Sequence, residues 1–158
     1  MKPTTHHQAS QEIRRPEVKE RWWRQARVAD YDRRVTHDAP HVQAIDAFIA
    51  ATNAHDPAER ATLLNSALTA DVVFWGPLGR SVGRQAVEDF ITEVVQGHPA
   101  APCRMVRTTR VDAPEEWARF GWRYEAGDGH ALLSGTDMVH VSAAGEIDQI
   151  VVFAGALE

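Results

Sequence analysis

Hydrophobic residues in the first half of the chain recur at the three- or four-residue spacing of α-helices. They predict a first helix after Pro40 and a second after Asp56, where Asp-Pro-Ala-Glu has the features of an N-terminal cap. Residues 72–75 are β-branched or aromatic and predict a buried strand. A Gly-Pro loop follows this strand, and apolar residues from Val87 to Val95 predict a third helix. The predicted order is therefore helix, helix, strand, helix.

From Cys103 onward, the hydrophobic period changes from that of a helix to that of a strand. The alternation, and the glycines between the alternating segments, predict an antiparallel meander. Helices followed by antiparallel strands predict an α+β domain, in which a curved, mainly antiparallel sheet is wrapped around three helices. The predicted strands of the meander are residues 103–112, 117–126, 130–142 and 146–154.

Two short turns determine which face of the last strands is buried. If each turn is a three-residue loop that ends in a left-handed glycine, Trp122 lies opposite Ser134 and His140 lies opposite Asp148. A slip of one residue would move every side chain of a strand to the other face. On the outer face, the same registers pair Arg119 with Asp137 and Gly121 with Gly135.

The aromatic face of the strand 117–126 and the apolar faces of the helices are predicted to line a pocket. Apolar walls with a few polar groups are the usual form of a small-molecule site, so a small hydrophobic molecule is the expected ligand. The alternative is a fully packed core made from the same residues. The predicted lining consists of Phe48, Thr52, Trp75, Phe90, Phe120, Trp122, Ser134, Thr136, Met138 and Val152.

Three side chains are candidate catalytic groups: His140, Asp148 and Tyr124. A His held by a carboxylate can act as a general base near neutral pH, whereas the alternative for this pair is a structural ion pair beside a turn. Tyr124 can donate a hydrogen bond to a substrate carbonyl, or it can lie at the edge of the core with its hydroxyl in water. His98 is placed at a helix end and His130 at the tip of a turn, and neither is expected to be a ligand.

The chain has no spacing of His, Cys, Asp and Glu that is typical of a metal site, and no glycine-rich loop for a phosphate. Neither a metal nor a cofactor is therefore expected. The single cysteine excludes an internal disulfide. Because the sequence has no signal segment and no apolar run long enough to span a bilayer, it predicts a cytoplasmic protein without membrane contact.

Charge is unevenly distributed along the 158 residues, whose formal net charge is -5. Residues 1–40 carry nine Lys or Arg and six Asp or Glu, whereas the remaining residues carry eight and sixteen. An acidic body disfavours nucleic-acid binding, which requires a basic face. We expect an N-terminal extension over 1–37, with a disordered start followed by a helix that contains Trp22 and Trp23, and a single domain over 38–158.

Four segments of the domain resemble the SnoaL-like polyketide cyclases and the ketosteroid isomerases of the nuclear-transport-factor-2-like superfamily. The resemblance covers about residues 40–158 and implies the cone-shaped NTF2-like fold and a homodimer formed through the outer sheet face. It also implies a cofactor-free isomerase, cyclase or dehydratase that acts on a hydrophobic, cyclic or polyketide-like molecule. The matching segments are Asp71–Gly79, Gly83-Arg84 with Phe90, Gly135–Val139 and Gly145–Ile147.

The resemblance does not extend to the family's acids. Ketosteroid isomerases have a carboxylate base before the proline of the strand-to-helix loop and a Tyr on the first helix, where this chain has Gly76 and Phe48. Their protonated acid corresponds to Ser134 in the predicted register, and the last-strand acid of SnoaL-like cyclases corresponds to Val152. Two alternatives therefore stay open: a non-catalytic ligand-binding or dimerisation module, and a protein that binds a partner through its N-terminal extension.

Overall fold

A computed structural model describes residues 40–155 of the chain. The predicted N-terminal extension, with Trp22 and Trp23, lies outside the described residues. The described part contains three helices and one six-stranded sheet. The predicted α+β class, with a curved sheet around three helices, is confirmed.

The helices are α1 (Pro40–Asn53), α2 (Pro57–Ala67) and α3 (Arg84–Phe90), and α3 continues as a π-helix over Ile91–Gln96. The strands are β1 (Leu68–Gly76), β2 (Gly79–Val82), β3 (Arg104–Arg107), β4 (Trp117–Glu125), β5 (Ala131–Val141) and β6 (Ile147–Ala154). The sheet has the order β2-β1-β6-β5-β4-β3, in which β1 and β6 are parallel and all other pairs are antiparallel.

One predicted strand is shorter than expected. Instead of residues 103–112, the ladder between β3 and β4 includes only Arg104–Arg107. The reason is a side-chain hydrogen bond, because Thr109 Oγ1 accepts the backbone N–H of Gly121 at 2.8 Å. This N–H is therefore not available to a continued backbone ladder, and only an isolated bridge at Asp112 follows.

The core lies between the helices and one face of the sheet, which we call the inner face. Phe120 and Trp122 of β4 lie on it and are buried, as predicted, together with Ile45 and Phe48 of α1. Apolar residues three or four positions apart on α1 form one stripe, and this stripe belongs to the same buried cluster as the aromatic side chains of β4. The opposite, outer face of the sheet carries Arg119 and Met138, and Met138 is 37% exposed.

The π-helix is joined to α1 and α2 by polar contacts. The buried side chain of Arg60 donates to the backbone oxygen of Ala54 at 2.9 Å and to Thr92 Oγ1 at 3.2 Å. Gln96 Nε2 donates to the backbone oxygen of Thr52 at 3.1 Å. These contacts hold the wider helical segment against the rest of the domain, where it forms part of the wall of a cavity.

Both predicted turns have the predicted glycine geometry, but a bulge beside each one shifts the register. Gly129 and Gly145 have φ angles of 85° and 83°. The first pairs beyond the turns, Glu125–Ala131 and Val141–Ile147, agree with the prediction. The next residue on one strand of each hairpin, Leu132 in β5 and Asp148 in β6, is then left without a partner.

The bulge at Leu132 corrects the predicted faces of β5. Trp122 lies opposite Gly135 rather than Ser134, and Phe120 lies opposite Asp137. The prediction that Ser134, Thr136, Met138 and His140 face the pocket is therefore wrong, and Asp137 and Val139 lie on the inner face instead.

The predicted outer-face pairs are corrected by the same shift. Arg119 lies opposite Met138, and its Nε donates to Asp112 at 2.8 Å. Gly121 and Gly135 do not face each other. The space beside Gly121 is occupied by Thr108 and Thr109 and that beside Gly135 by the indole of Trp122, so neither glycine leaves room for another surface.

Candidate functional site

A cavity of about 270 Å³ opens between the inner face of the sheet and the helices. Its wall is mostly aromatic and aliphatic. Of the predicted lining residues, it includes Phe48, Phe90, Trp122 and Val152, and it also includes Tyr124. The other lining residues are Phe74, Pro77, Val94, Val95, His98, Cys103, Met105, Leu132, Leu133, Asp137 and Ala154.

Several predicted lining residues lie elsewhere. Phe120 is buried in the core but does not line the cavity, and Thr52 is buried with its hydroxyl donating to the backbone oxygen of Phe48 at 3.0 Å. Trp75 is 45% exposed, and the guanidinium of Arg80 lies 5.4 Å from its ring centre. Ser134, Thr136 and Met138 lie on the outer face for the reason given above.

Asp137 is the acid that the structure places in this cavity. Its side chain is 2% exposed, and its Oδ1 accepts a hydrogen bond from Trp122 Nε1 at 2.6 Å. Burial raises the pKa of Asp137 from 3.8 to about 7, although the hydrogen bond from Trp122 lowers it in part. The carboxyl group is therefore largely protonated in mildly acidic solution and ionised in alkaline solution.

Gly135 makes the contact between Trp122 and Asp137 possible. The two residues Trp122 and Gly135 are directly opposite each other on β4 and β5. A Cβ atom at position 135 would lie 2.5 Å from the indole ring and would also overlap the backbone oxygen of Phe153. Because glycine has no Cβ, the indole can lie across the strand and reach the carboxyl group of Asp137, two residues further along β5.

Tyr124 lies beside this pair, as part of the cavity wall. Its ring contacts the indole of Trp122 edge to face, with ring centres 5.2 Å apart. Burial and the charge of Asp137 raise the pKa of Tyr124 above its usual value. The phenol is therefore protonated at every physiological pH and is a hydrogen-bond donor rather than a base.

His140 and Asp148 are in contact, as predicted, but outside the cavity. His140 Nδ1 lies 2.6 Å from Asp148 Oδ1, and the imidazole contacts the ring of Trp117, with ring centres 5.0 Å apart. His140 lies on the outer face because of the bulge at Leu132, which reverses the faces of β5 relative to β4, and neither His140 nor Asp148 lines the cavity. The geometry favours the structural ion pair over the predicted catalytic pair.

A family comparison agrees with this architecture. The family model of the SnoaL-like domain matches residues 45–150. The chain belongs to the SnoaL-like domain family. Among curated proteins, none matches it.

Solved structures of SnoaL-like and related proteins have the same fold. A candidate isomerase of the SnoaL-like family from Agrobacterium tumefaciens str. C58 is 28% identical over 74% of this chain and 98% of its own, with a TM-score of 0.67. The epoxide hydrolase/cyclase-like enzyme SalBIII, which has a role in pyran ring formation in the polyether salinomycin, is 15% identical over 76% of this chain and 95% of its own, with a TM-score of 0.58. A candidate polyketide cyclase from Sinorhizobium meliloti is 13% identical over 69% and 92%, with a TM-score of 0.53.

The acid of this SnoaL-like site was missed by sequence reasoning because the register was wrong by one residue. A signal was nevertheless present in β5, where Val139 and Val141 alternate with His140 and Ser142. This alternation puts the odd-numbered positions inside, and it therefore includes Asp137 among the inward residues.

Over residues 40–155, no three side chains of His, Cys, Asp or Glu are placed to hold a metal ion. No helix in this described range is long and apolar enough to cross a membrane.

Proposed function

We propose that this SnoaL-like protein binds a small hydrophobic molecule in the cavity and polarises an oxygen atom of that molecule with the protonated carboxyl of Asp137. The observation that carries the proposal is a nearly fully buried acid in a mostly apolar cavity. Among the described residues, Asp137 has no cationic partner, and a buried acid of this kind costs stability, so its presence in a cavity wall is typical of a functional group.

The hydrogen bond from Trp122 determines which oxygen of Asp137 carries the proton. Oδ1 accepts the indole N–H, so the proton of the neutral acid is expected on Oδ2. An O–H group in a mostly apolar wall is a strong donor to a carbonyl oxygen, and more so to the oxyanion that forms from it. Trp122 is therefore a positioning residue, because it acts on the ligand through Asp137.

The cavity supports a substrate of one or two rings with a carbonyl group. Its volume of about 270 Å³ lies just below the range of about 300–1,000 Å³ that is usual for ligand sites. Polarisation of a carbonyl is a step common to cofactor-free isomerases, cyclases and dehydratases, and it requires no group beyond the acid itself. We propose this reaction class for a cyclic or polyketide-like molecule.

A second candidate function is that of a non-catalytic ligand-binding module. The positions of the base and the Tyr of ketosteroid isomerases are occupied by Gly76 and Phe48. In the lining of the cavity, as the described residues form it, Asp137 is the only carboxyl group. A protonated acid can orient a ligand without transferring a proton. A non-catalytic binding module therefore needs no catalytic group in addition to Asp137.

Two matched ligands test the role of Asp137 directly. We expect 2-tetralone, a bicyclic ketone, to bind at pH 6 more tightly than tetralin, which lacks the oxygen. Asp137→Leu should lower the affinity for 2-tetralone about tenfold and leave that for tetralin unchanged, because a single hydrogen bond contributes about 1 kcal/mol or somewhat more. Asp137→Asn retains a donor and should bind 2-tetralone within about threefold of the wild type. Isothermal titration calorimetry measures all of these affinities.

Equal losses for both ligands in Asp137→Leu would contradict the proposal, since they would indicate lost packing rather than a lost donor. 2-Tetralone also distinguishes the two candidate functions, an enzyme and a non-catalytic binding module. In D₂O, an enzyme of the proposed class accelerates exchange of the α-hydrogens of 2-tetralone: Asp137 donates to the carbonyl oxygen, solvent water removes the α-proton to give the enol, and a deuteron from the solvent replaces it. NMR detects this exchange, which should be lost in Asp137→Leu. Tight binding without accelerated exchange supports the binding module.

We also propose that two copies of the chain pair through the outer face of the sheet. Trp75 lies beside Val151 and Val151 beside Met138, so these three apolar side chains form a row across β1, β6 and β5. Trp75 and Met138 are 45% and 37% exposed, and Phe153 on the same face is 46% exposed. Exposed apolar area of this kind is typical of an interaction surface.

Introducing a charged side chain into this apolar row is expected to dissociate the dimer into monomers. The wild type should have the mass of a dimer in multi-angle light scattering at micromolar concentration, and Met138→Asp should have the mass of a monomer because a carboxylate in an apolar interface is not solvated. Leu78→Asp, at an 81% exposed position in the turn between β1 and β2, is the control and should stay dimeric. A monomeric wild type, or a dimeric Met138→Asp variant, would exclude this interface.

A further inference from the structure

The rim of the cavity carries a polar side chain that the proposed function does not use. His98 lines the cavity just after the π-helix, and it is exposed to solvent. Its Nδ1 accepts the backbone N–H of Ala100 at 3.1 Å. Since Nδ1 is an acceptor, the hydrogen of the ring is on Nε2. The ring therefore presents a donor at Nε2.

The residues around His98 at the rim of the cavity are apolar, so its imidazole is the polar group there among the described lining residues. The rim is otherwise apolar: Val94 and Leu133 line the cavity and are 38% and 45% exposed, and Pro77 and Ala154 complete it. A polar group on the outer end of a ligand therefore has one imidazole available to it among the lining residues that the structure describes. An unpaired anion against apolar side chains would lose hydration without a replacement.

The polar side chains of the cavity are arranged by depth. Asp137 is buried, Tyr124 is partly buried and His98 is exposed at the rim. In their neutral forms, each presents a hydrogen: the free oxygen of the acid, the phenol and the imidazole Nε2. Such a lining complements acceptor oxygens, and it offers little to the N–H groups of an amine.

We infer that His98 determines specificity by binding an anionic or carbonyl oxygen at the outer end of a ligand whose inner oxygen is held by Asp137. The ligand class is an apolar ring system with acceptor oxygens at opposite ends, such as a hydroxy- or oxo-substituted carboxylate. This inference rests on the proposed function for the inner end of the ligand, and it adds a second contact point for the outer end.

Two probes with the same rings test the outer contact. 2-Naphthol has a single oxygen, and 6-hydroxy-2-naphthoate has a carboxylate at the opposite end of the same ring system. At pH 6, His98→Leu should lower the affinity for 6-hydroxy-2-naphthoate about tenfold, because a hydrogen bond to a charged group is lost. It should change the affinity for 2-naphthol by less than about twofold. His98→Gln, which retains an N–H donor, should recover most of the lost affinity.

His130→Leu is the matched control. His130 is an exposed histidine in the turn between β4 and β5 and does not line the cavity, so both affinities should be unchanged in this variant. An equal fall for both probes in His98→Leu, or no fall for either, would overturn the inference.

Asp137→Leu distinguishes a failure of this inference from a failure of the proposed function. If Asp137→Leu weakens both probes and His98→Leu weakens neither, the proposed function stands and the outer contact is refuted. If His98→Leu weakens the carboxylate selectively and Asp137→Leu has no effect, the outer contact stands and the polarising acid is refuted.

Discussion

Replacing Asp137 by Asn is expected to raise the free energy of unfolding at pH 8 by up to about 4 kcal/mol relative to the wild type, and to change it little at pH 4. The effect comes from the burial that raises the pKa of this carboxyl from 3.8 to about 7. Asn has nearly the same shape and keeps an oxygen to accept the indole hydrogen of Trp122, so the substitution removes the charge without removing the contact.

The direction of the effect follows from the two pKa values of Asp137. Below pH 4, the acid is protonated in both the folded and the unfolded chain and does not make stability depend on pH. Between about pH 4 and pH 7, the unfolded chain releases the proton while the folded chain keeps it, so stability falls by about 1.4 kcal/mol for each pH unit. Above pH 7, both states are ionised, and the full cost of a buried carboxylate remains.

Urea denaturation of the wild type and of Asp137→Asn at each pH from 4 to 8 measures this effect, since other ionisable groups affect both proteins equally. The same substitution at Asp89, an exposed carboxylate, is the control and should change stability by less than about 0.5 kcal/mol at every pH. A difference between wild type and Asp137→Asn that stays constant with pH would show that Asp137 does not change protonation in the folded protein within this range.

Gly135→Ala is expected to lower stability by about 2–3 kcal/mol and to break the hydrogen bond between Trp122 and Asp137. The new Cβ would lie 2.5 Å from the indole and would overlap the backbone oxygen of Phe153. The overlap with the oxygen of Phe153 requires β5 to shift against β6, and the overlap with the indole requires the ring of Trp122 to move, so that the indole N–H no longer reaches the carboxyl.

Chemical denaturation measures the loss of stability in Gly135→Ala. Near-ultraviolet circular dichroism detects the movement of the Trp122 ring, because the signal depends on the environment of the indole. Gly127→Ala, in the turn between β4 and β5, is the control because a Cβ there has no neighbour within 4 Å. It should change stability by less than about 0.5 kcal/mol. If Gly135→Ala were as stable as the wild type with an unchanged aromatic spectrum, glycine would not be the reason for the position of Trp122.

The helices, the turns and the aromatic face of β4 were determined by the sequence itself. Helix α2 begins where Asp56 was expected to cap it. The side chain of Asp56 accepts hydrogen bonds from the backbone N–H groups of Ala58 and Glu59 at 2.7 and 3.0 Å. The glycines of both hairpins have the expected left-handed conformation. These features depend on residues that are close together in the chain, so a local pattern is sufficient to predict them.

The bulges, and with them the identity of the buried acid, were decided only by the tertiary structure. Leu132 and Asp148 lie beside turns that are themselves as predicted, and nothing in a three-residue loop indicates that the next residue has no partner. A bulge forms where packing across the whole sheet favours it, and here it lets Val139 rather than Met138 enter the core. Because side chains alternate with a period of two, each extra residue reverses the faces, and Asp137 rather than Ser134 reaches the cavity.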